Sequence, residues 1–217
     1  MNSREESIEP TMAERKEDST FLKVILILGT IWGAFLLILA FLVEPTPENL
    51  TLLISILLSF AYTLFLYATR NIWRPKMTKN PVRNAILLSI FNAAIIETLF
   101  LVIERLLGAS GVAAHPNLLI DLLITMPWYA LMARSFVKAQ DRQQFSNVKV
   151  LLLGGLYEIG ADGIAGPALG ILWGDFTVFT PSYWFLLVII AYWQFILVYS
   201  SMVLPPAPLL DEAYRES

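Results

Sequence analysis

The sequence predicts an all-α integral membrane bundle of about six transmembrane helices, and three observations predict it. Hydrophobic residues make up 57% of the 217-residue chain and charged residues only 15%. Soluble domains run at roughly 45–50% apolar and about 25% charged, and the mean hydropathy here is +0.64. Six stretches reach the length of about 20 apolar residues that a bilayer core demands. All 15 Lys and Arg residues except Arg105 fall at one end of the bundle those stretches would form.

Residues 1–20 mix Glu5, Glu6, Glu9, Glu14, Glu17 and Asp18 with Arg4, Arg15 and Lys16. This composition reads as a disordered, solvated tail. It is not a secretory leader, because the apolar run behind it is too long and no small-residue cleavage site follows. The membrane domain is expected over 21–204. Its first span is Phe21–Val43, closed by Glu44, Pro45 and Pro47. The second is Leu50–Thr69, closed by Arg70. The third is Asn84–Leu107, with Asn80 and Pro81 suited to its start. The fourth is Asn117–Val137, carrying Pro127. The fifth is Val148–Trp173, rich in glycine and interrupted by Pro167. The sixth is Ser182–Leu204, stopped by Pro205, Pro206 and Pro208. Residues 205–217 remain as a short tail.

Basic residues set orientation through the short loops. The N-terminal segment through Lys23, the loop from Arg70 to Arg83, the loop from Arg134 to Lys149 and the C-terminal tail hold every Lys and Arg but one. Both termini are therefore expected in the cytoplasm. Trp173, Phe176, Phe179, Tyr183 and Trp184 would form an aromatic belt at the opposite interface.

Several function classes are excluded. A net charge of −3 offers no basic field for nucleic acid. The absence of cysteine removes disulfides, thiolate catalysis and thiol-ligated metal. The lone histidine, His115, rules out sites built from several imidazoles. No phosphate-binding loop, zinc-protease motif or nucleophile elbow is present.

What remains are carboxylates where spans should avoid them: Glu97 and Glu104 in the third helix, Asp121 in the fourth, Glu158 and Asp162 in the fifth. An aspartate at a span centre costs about 2.5–3.5 kcal/mol on the insertion scale, so such residues usually mark function. Glu97 and Glu104 share a helix face, as do Glu158 and Asp162. Asp121, Thr125 and Trp128 form a further stripe. At about 1.5 Å of rise per residue, Glu97, Asp121 and Asp162 fall near one level in the outer half. Glu158 lies near the midplane, and Glu104 lies at the rim beside Arg105. No lysine in the core neutralises them. They must be protonated, hydrated in a cavity, or holding a cation, unless they only bond neighbouring helices.

The candidate catalytic residues are thus Glu97, Asp121, Glu158 and Asp162. Trp128 and Trp193 are candidates to steady a cationic intermediate through their ring faces. Gln194 is a polar contact in the sixth helix, and His115 is a proton relay in the outer loop. The chemistry this suggests is intramembrane acid–base catalysis on a lipid or isoprenoid-like substrate, with a divalent metal as a variant. A proton- or cation-coupled transporter and a non-enzymatic assembly factor are the alternatives. Gly155, Gly163, Gly166 and Gly170 form one stripe on the fifth helix, read as a packing seam or as a break in the helix near Pro167. Gly29 and Gly33 form a second small-residue motif, expected to pack.

Overall fold

A computed structural model describes residues 12–77, 79–165 and 180–210, with backbone alone for 12–19, Ala161, Asp162 and Ala165. The described chain is helical and contains no strand. Helix α1 is Met12–Val43, α2 is Pro47–Ala68, α3 is Pro81–Leu107 and α4 is Leu118–Gln143. Helix α5 is Asn147–Glu158 and runs on as a π-helical segment, Ile159–Ala165. Helix α6 comprises Pro181–Leu186, a π-helical segment Leu187–Ala191, and Tyr192–Val203. Five helices among the described residues are long and apolar enough to cross a membrane. The expected fifth span, with Gly166, Pro167, Gly170 and Trp173, runs on beyond the described residues.

Local signals explain the boundaries. Thr46 caps α2 by accepting from the Asn49 amide at 3.2 Å, with Pro47 in the first turn. The side chain of Asn117 caps α4 through the amides of Leu119 and Ile120. Gly108 ends α3 at φ 68°, the left-handed conformation that glycine adopts without strain. α1 begins at Met12, so part of the expected unstructured tail is helical. Glu14, Glu17 and Asp18 suit the positive end of a helix.

The packing is inverted relative to a soluble bundle. Large apolar side chains face outward, among them Ile27 and Ile31 on α1, Phe65 on α2, Phe91 on α3, Leu123 on α4 and Phe185 on α6. The fully buried positions include Thr51, Ser55, Ser59 and Thr63 in a column along α2. Only an apolar solvent makes this arrangement favourable: lipid receives the large side chains, and small polar residues let the backbones approach. The chain is a multi-pass membrane protein. Across the column, Thr63 Oγ1 meets Ser200 Oγ at 2.7 Å, Ser89 Oγ donates to the Met202 carbonyl at 2.7 Å, and Asn92 Nδ2 donates to the Ser201 carbonyl at 2.7 Å.

Helix α6 is the central pillar, with Ile196 to Leu204 buried. Glycines bring its neighbours in. A Cβ added at Gly29 would lie 2.0 Å from the Trp193 ring, and one at Gly33 would lie 3.0 Å from Trp193 Cβ. On α5, a Cβ at Gly155 would lie 2.6 Å from Ile196 Cγ1, and one at Gly163 would lie 2.6 Å from Leu187 Cδ1. The α1 motif and the described part of the α5 stripe are therefore packing surfaces. The two π-helical segments meet at Gly163 and Leu187. Widened turns release carbonyls from the regular ladder. Trp32 Nε1 donates to the Ile189 carbonyl at 2.9 Å, and Tyr183 Oη donates to that of Gly163. Residues 205–210, the start of the expected short C-terminal tail, fold onto the bundle. Pro205, Pro206, Ala207, Leu209 and Leu210 are all buried. The reason is composition: Pro-Pro-Ala-Pro-Leu-Leu carries no charge until Asp211.

Candidate functional site

One face of α3 buries Ser89, Asn92, Ala93, Ile96 and Glu97 at the three- and four-residue intervals of a helix. This face carries Glu97 to the wall of a cavity of about 410 Å³ at the end of the bundle where α3 turns into α4. Leu52 and Ile56 on α2, Phe100 on α3 and Phe195 and Val198 on α6 make the cavity mainly apolar, and the loop residues Gly111 to Ala114 roof it. Its polar lining is Glu97, Thr125, Tyr129, Gln194 and Tyr199.

Three of these groups form a chain. Tyr129 Oη donates to Glu97 Oε1 at 2.6 Å, and Tyr129 Oη lies 2.8 Å from Tyr199 Oη. A phenol has one proton to donate. With the Tyr129 proton committed to Glu97, Tyr199 is the donor in the second contact. A proton placed on Glu97 Oε1 would let that oxygen donate to Tyr129 and Tyr129 donate to Tyr199 without moving a heavy atom, which is the property a proton relay needs. The two phenol rings stack obliquely, with centroids 5.6 Å apart.

The roof is held by other acids. Glu104 Oε1 accepts from the Gly111 amide at 3.0 Å and Glu104 Oε2 from the Ala113 amide at 2.5 Å. Arg105 donates to the Pro116 carbonyl. Asp121, 0% exposed, accepts from the His115 amide through Oδ1 at 2.9 Å. Its Oδ2 is buried with no hydrogen-bond partner among the described residues. Glu104 and Asp121 therefore clasp the loop from two helices. The loop has an irregular backbone whose amides need acceptors, and a carboxylate supplies two.

Comparison of the chain with known protein families, curated proteins and solved structures finds no match. The chemistry of the site is therefore carried by its geometry alone.

The eight residues singled out by sequence fall in different places. Glu97 and Gln194 line the cavity. Glu158 is fully buried and lines a small adjoining apolar void with Met132, Phe136 and Tyr199, so Tyr199 is a wall of both. Asp121 lines neither space and holds the roof. Asp162 lies in the π-helical segment after Glu158, and its side chain is outside the described residues. His115 sits in the roof loop, its Nδ1 accepting from the Asn117 amide at 2.9 Å. Trp193 is the packing partner of Gly29 and Gly33. Trp128 is 41% exposed on the outside of α4 and lines neither space.

Tyr129 and Tyr199 are the residues that sequence reasoning missed. The signal for Tyr129 was present, since Asp121 and Thr125 continue at a spacing of four to Tyr129 rather than to Trp128. No group of three or more acidic or imidazole side chains among the described residues is placed to hold a metal ion. The described groups thus bring one carboxyl and two phenols into hydrogen-bond contact on the wall of a mainly apolar cavity.

Proposed function

We propose that the chain is an intramembrane acid–base enzyme that takes a lipid or isoprenoid-like molecule into the cavity beneath the 111–114 loop. The observation that carries this reading is the buried Glu97 carboxyl on an apolar wall, joined to Tyr129 at 2.6 Å. In the forward step, protonated Glu97 gives its proton to an alkene carbon or epoxide oxygen of the substrate, leaving a cation. Loss of a proton from a neighbouring carbon returns a neutral product. That proton goes back to Glu97, directly or through Tyr129 and Tyr199. The net change is an isomerisation or cyclisation, and it requires no oxidant or reductant. Phe100, Phe195 and the two phenol rings, as lining groups, offer ring faces to the cation. Glu158, on the far side of Tyr199, and Asp162, one turn on in sequence, are the second acids of the proposal, while Asp121 holds the roof.

The test uses purified wild-type protein in detergent with a total membrane lipid extract in heavy water. A solvent deuterium should appear in one lipid class by mass spectrometry, and E97Q should not place it there. Absence of any labelled lipid with folded wild-type protein would sink the reading.

One observation favours a second reading, a proton-coupled carrier. Tyr199 separates the cavity from the Glu158 void, so the hydroxyl chain leads from the cavity toward the opposite end. Beyond it lies the fully buried polar layer of Ser89, Asn92, Ser200 and Ser201. Carriage would require that layer to open, whereas chemistry in the cavity does not. Proton uptake into vesicles that stops with E97Q, with no labelled lipid, would select the carrier.

A further inference from the structure

The second large cavity lies at the other end of the bundle, where the basic loops gather. It measures about 460 Å³ and is lined by Tyr67, Arg70, Arg74, Gln140, Gln144, Ser146 and Asn147, with a short apolar margin. Two guanidinium groups and no carboxylate face it among the described residues. Asp141 is close in sequence and accepts from Gln144 Nε2 through its carbonyl at 3.2 Å, yet it does not line the space.

The arginines are placed rather than loose. The Arg70 guanidinium lies 4.2 Å above the Tyr67 ring and donates through Nη1 to the Tyr67 carbonyl at 2.8 Å. Arg74 is 9% exposed, an unusual burial for a guanidinium. A guanidinium has five N–H donors, so Arg70 keeps several to offer. Tyr67 Oη accepts from Asn147 Nδ2 at 2.6 Å, which leaves its own proton to donate. Ser146, also in the wall, caps α5 by accepting from the Lys149 amide. Arg70, with its remaining N–H groups, and Tyr67, with its hydroxyl proton, thus bring donors to a wall otherwise made of neutral amide and hydroxyl side chains beside the Arg74 guanidinium, and planar guanidinium forks match phosphate oxygens.

We propose that this cavity binds a phosphate group, carried on the headgroup of an anionic membrane lipid. Its position at the basic end of the bundle, between helices that face lipid, fits basic interhelical pockets that take lipid headgroups. Free phosphate shares the chemistry, and the experiment separates the two sources. This site is independent of the acid cavity and does not rest on the reading given for that cavity.

The experiment measures the thermal unfolding midpoint of the purified full chain with each probe. The probes are phosphatidylglycerol bicelles, phosphatidylcholine bicelles, and inorganic phosphate in detergent. Wild type should be stabilised by phosphatidylglycerol and not by phosphatidylcholine. The same gain from inorganic phosphate would assign the site to the free anion. R70Q should reduce the apparent affinity about tenfold or more, the scale of a lost charged hydrogen bond, and Tyr67→Phe should reduce it less. K76Q, which changes an exposed lysine outside the cavity, should respond as wild type does. Because Arg74 is buried and its variant can fail to fold, the decision rests on the ligand-induced shift in R70Q. No stabilisation of wild type by either phosphate source, an undiminished shift in R70Q, or an equal loss in K76Q would overturn the proposal.

Discussion

Tyr129 gives its only hydroxyl proton to Glu97 at 2.6 Å, and Tyr199 therefore gives its proton to Tyr129. The direction of this chain is set by the protonation of one carboxyl. Tyr129 is its middle member, so Y129F should be the most damaging of the two phenol changes. It strips a hydrogen bond from Glu97 and another from Tyr199, and should cost about 1–3 kcal/mol of stability. Tyr199→Phe leaves the bond between Tyr129 and Glu97 in place and should cost less. Thermal unfolding in detergent ranks the two, and the reverse order would contradict the directed chain.

The roof should loosen when its clasp is weakened. In E104Q one carboxylate oxygen becomes an amide nitrogen that faces the amide of Gly111 or Ala113, so one charge-assisted bond is lost. Such bonds are worth about 1.5–3 kcal/mol. Hydrogen exchange over residues 109–116 should quicken by about tenfold or more, while α6 stays protected. Unchanged exchange in the loop would show that Glu104 does not hold it.

Glycine contacts differ in how much their neighbours can give. At Gly29 the obstacle is the rigid indole of Trp193, 2.0 Å from an added Cβ; at Gly163 it is the end of the Leu187 side chain, at 2.6 Å. Gly29→Ala should therefore destabilise by about 1–3 kcal/mol, the usual scale of overpacking, and Gly163→Ala by less. Trp193→Leu should restore part of the loss at Gly29. A Gly163→Leu variant should also lose stability, and unchanged melting would mean that this face looks onto lipid.

The basic residues predict orientation. A reporter active only outside the cytoplasm should stay silent when fused to the C-terminus, and should be active when inserted in the 109–116 loop. The opposite pair of results would invert the topology.

Much of the fold was legible because a membrane simplifies the code. Long apolar runs, with Asn80 and Pro81 at one helix start, place most helix ends within a few residues of those observed, although α1 starts at Met12 rather than Phe21 and α4 runs to Gln143 rather than Val137. The π-helical segments were not legible, since Ile159–Ala165 and Leu187–Ala191 differ from regular helix in hydrogen bonding rather than in composition. The role of Glu104 was hidden for a related reason. Its partners are loop amides, which leave no side-chain signature, so the sequence placed it only at the rim beside Arg105, whereas the structure has it holding the 111–113 backbone. Tyr129 and Tyr199 come from helices far apart in sequence, and their meeting at Glu97 depends on how α4 and α6 pack. The Trp128 stripe ran to the lipid face because α4 turns Tyr129, not Trp128, toward the cavity.

The measurement that bears most directly on the cavity as the working site is deuterium incorporation into lipid by wild type and E97Q, at matched thermal stability. The glutamine keeps the acceptor oxygen for Tyr129 and removes the titratable proton. General acid–base catalysis contributes about 10²–10⁴-fold, so E97Q should retain its fold and lose at least about 10²-fold in rate. A folded E97Q protein that labels lipid at the wild-type rate would contradict the account and leave Glu97 as a buried hydrogen-bonding residue alone.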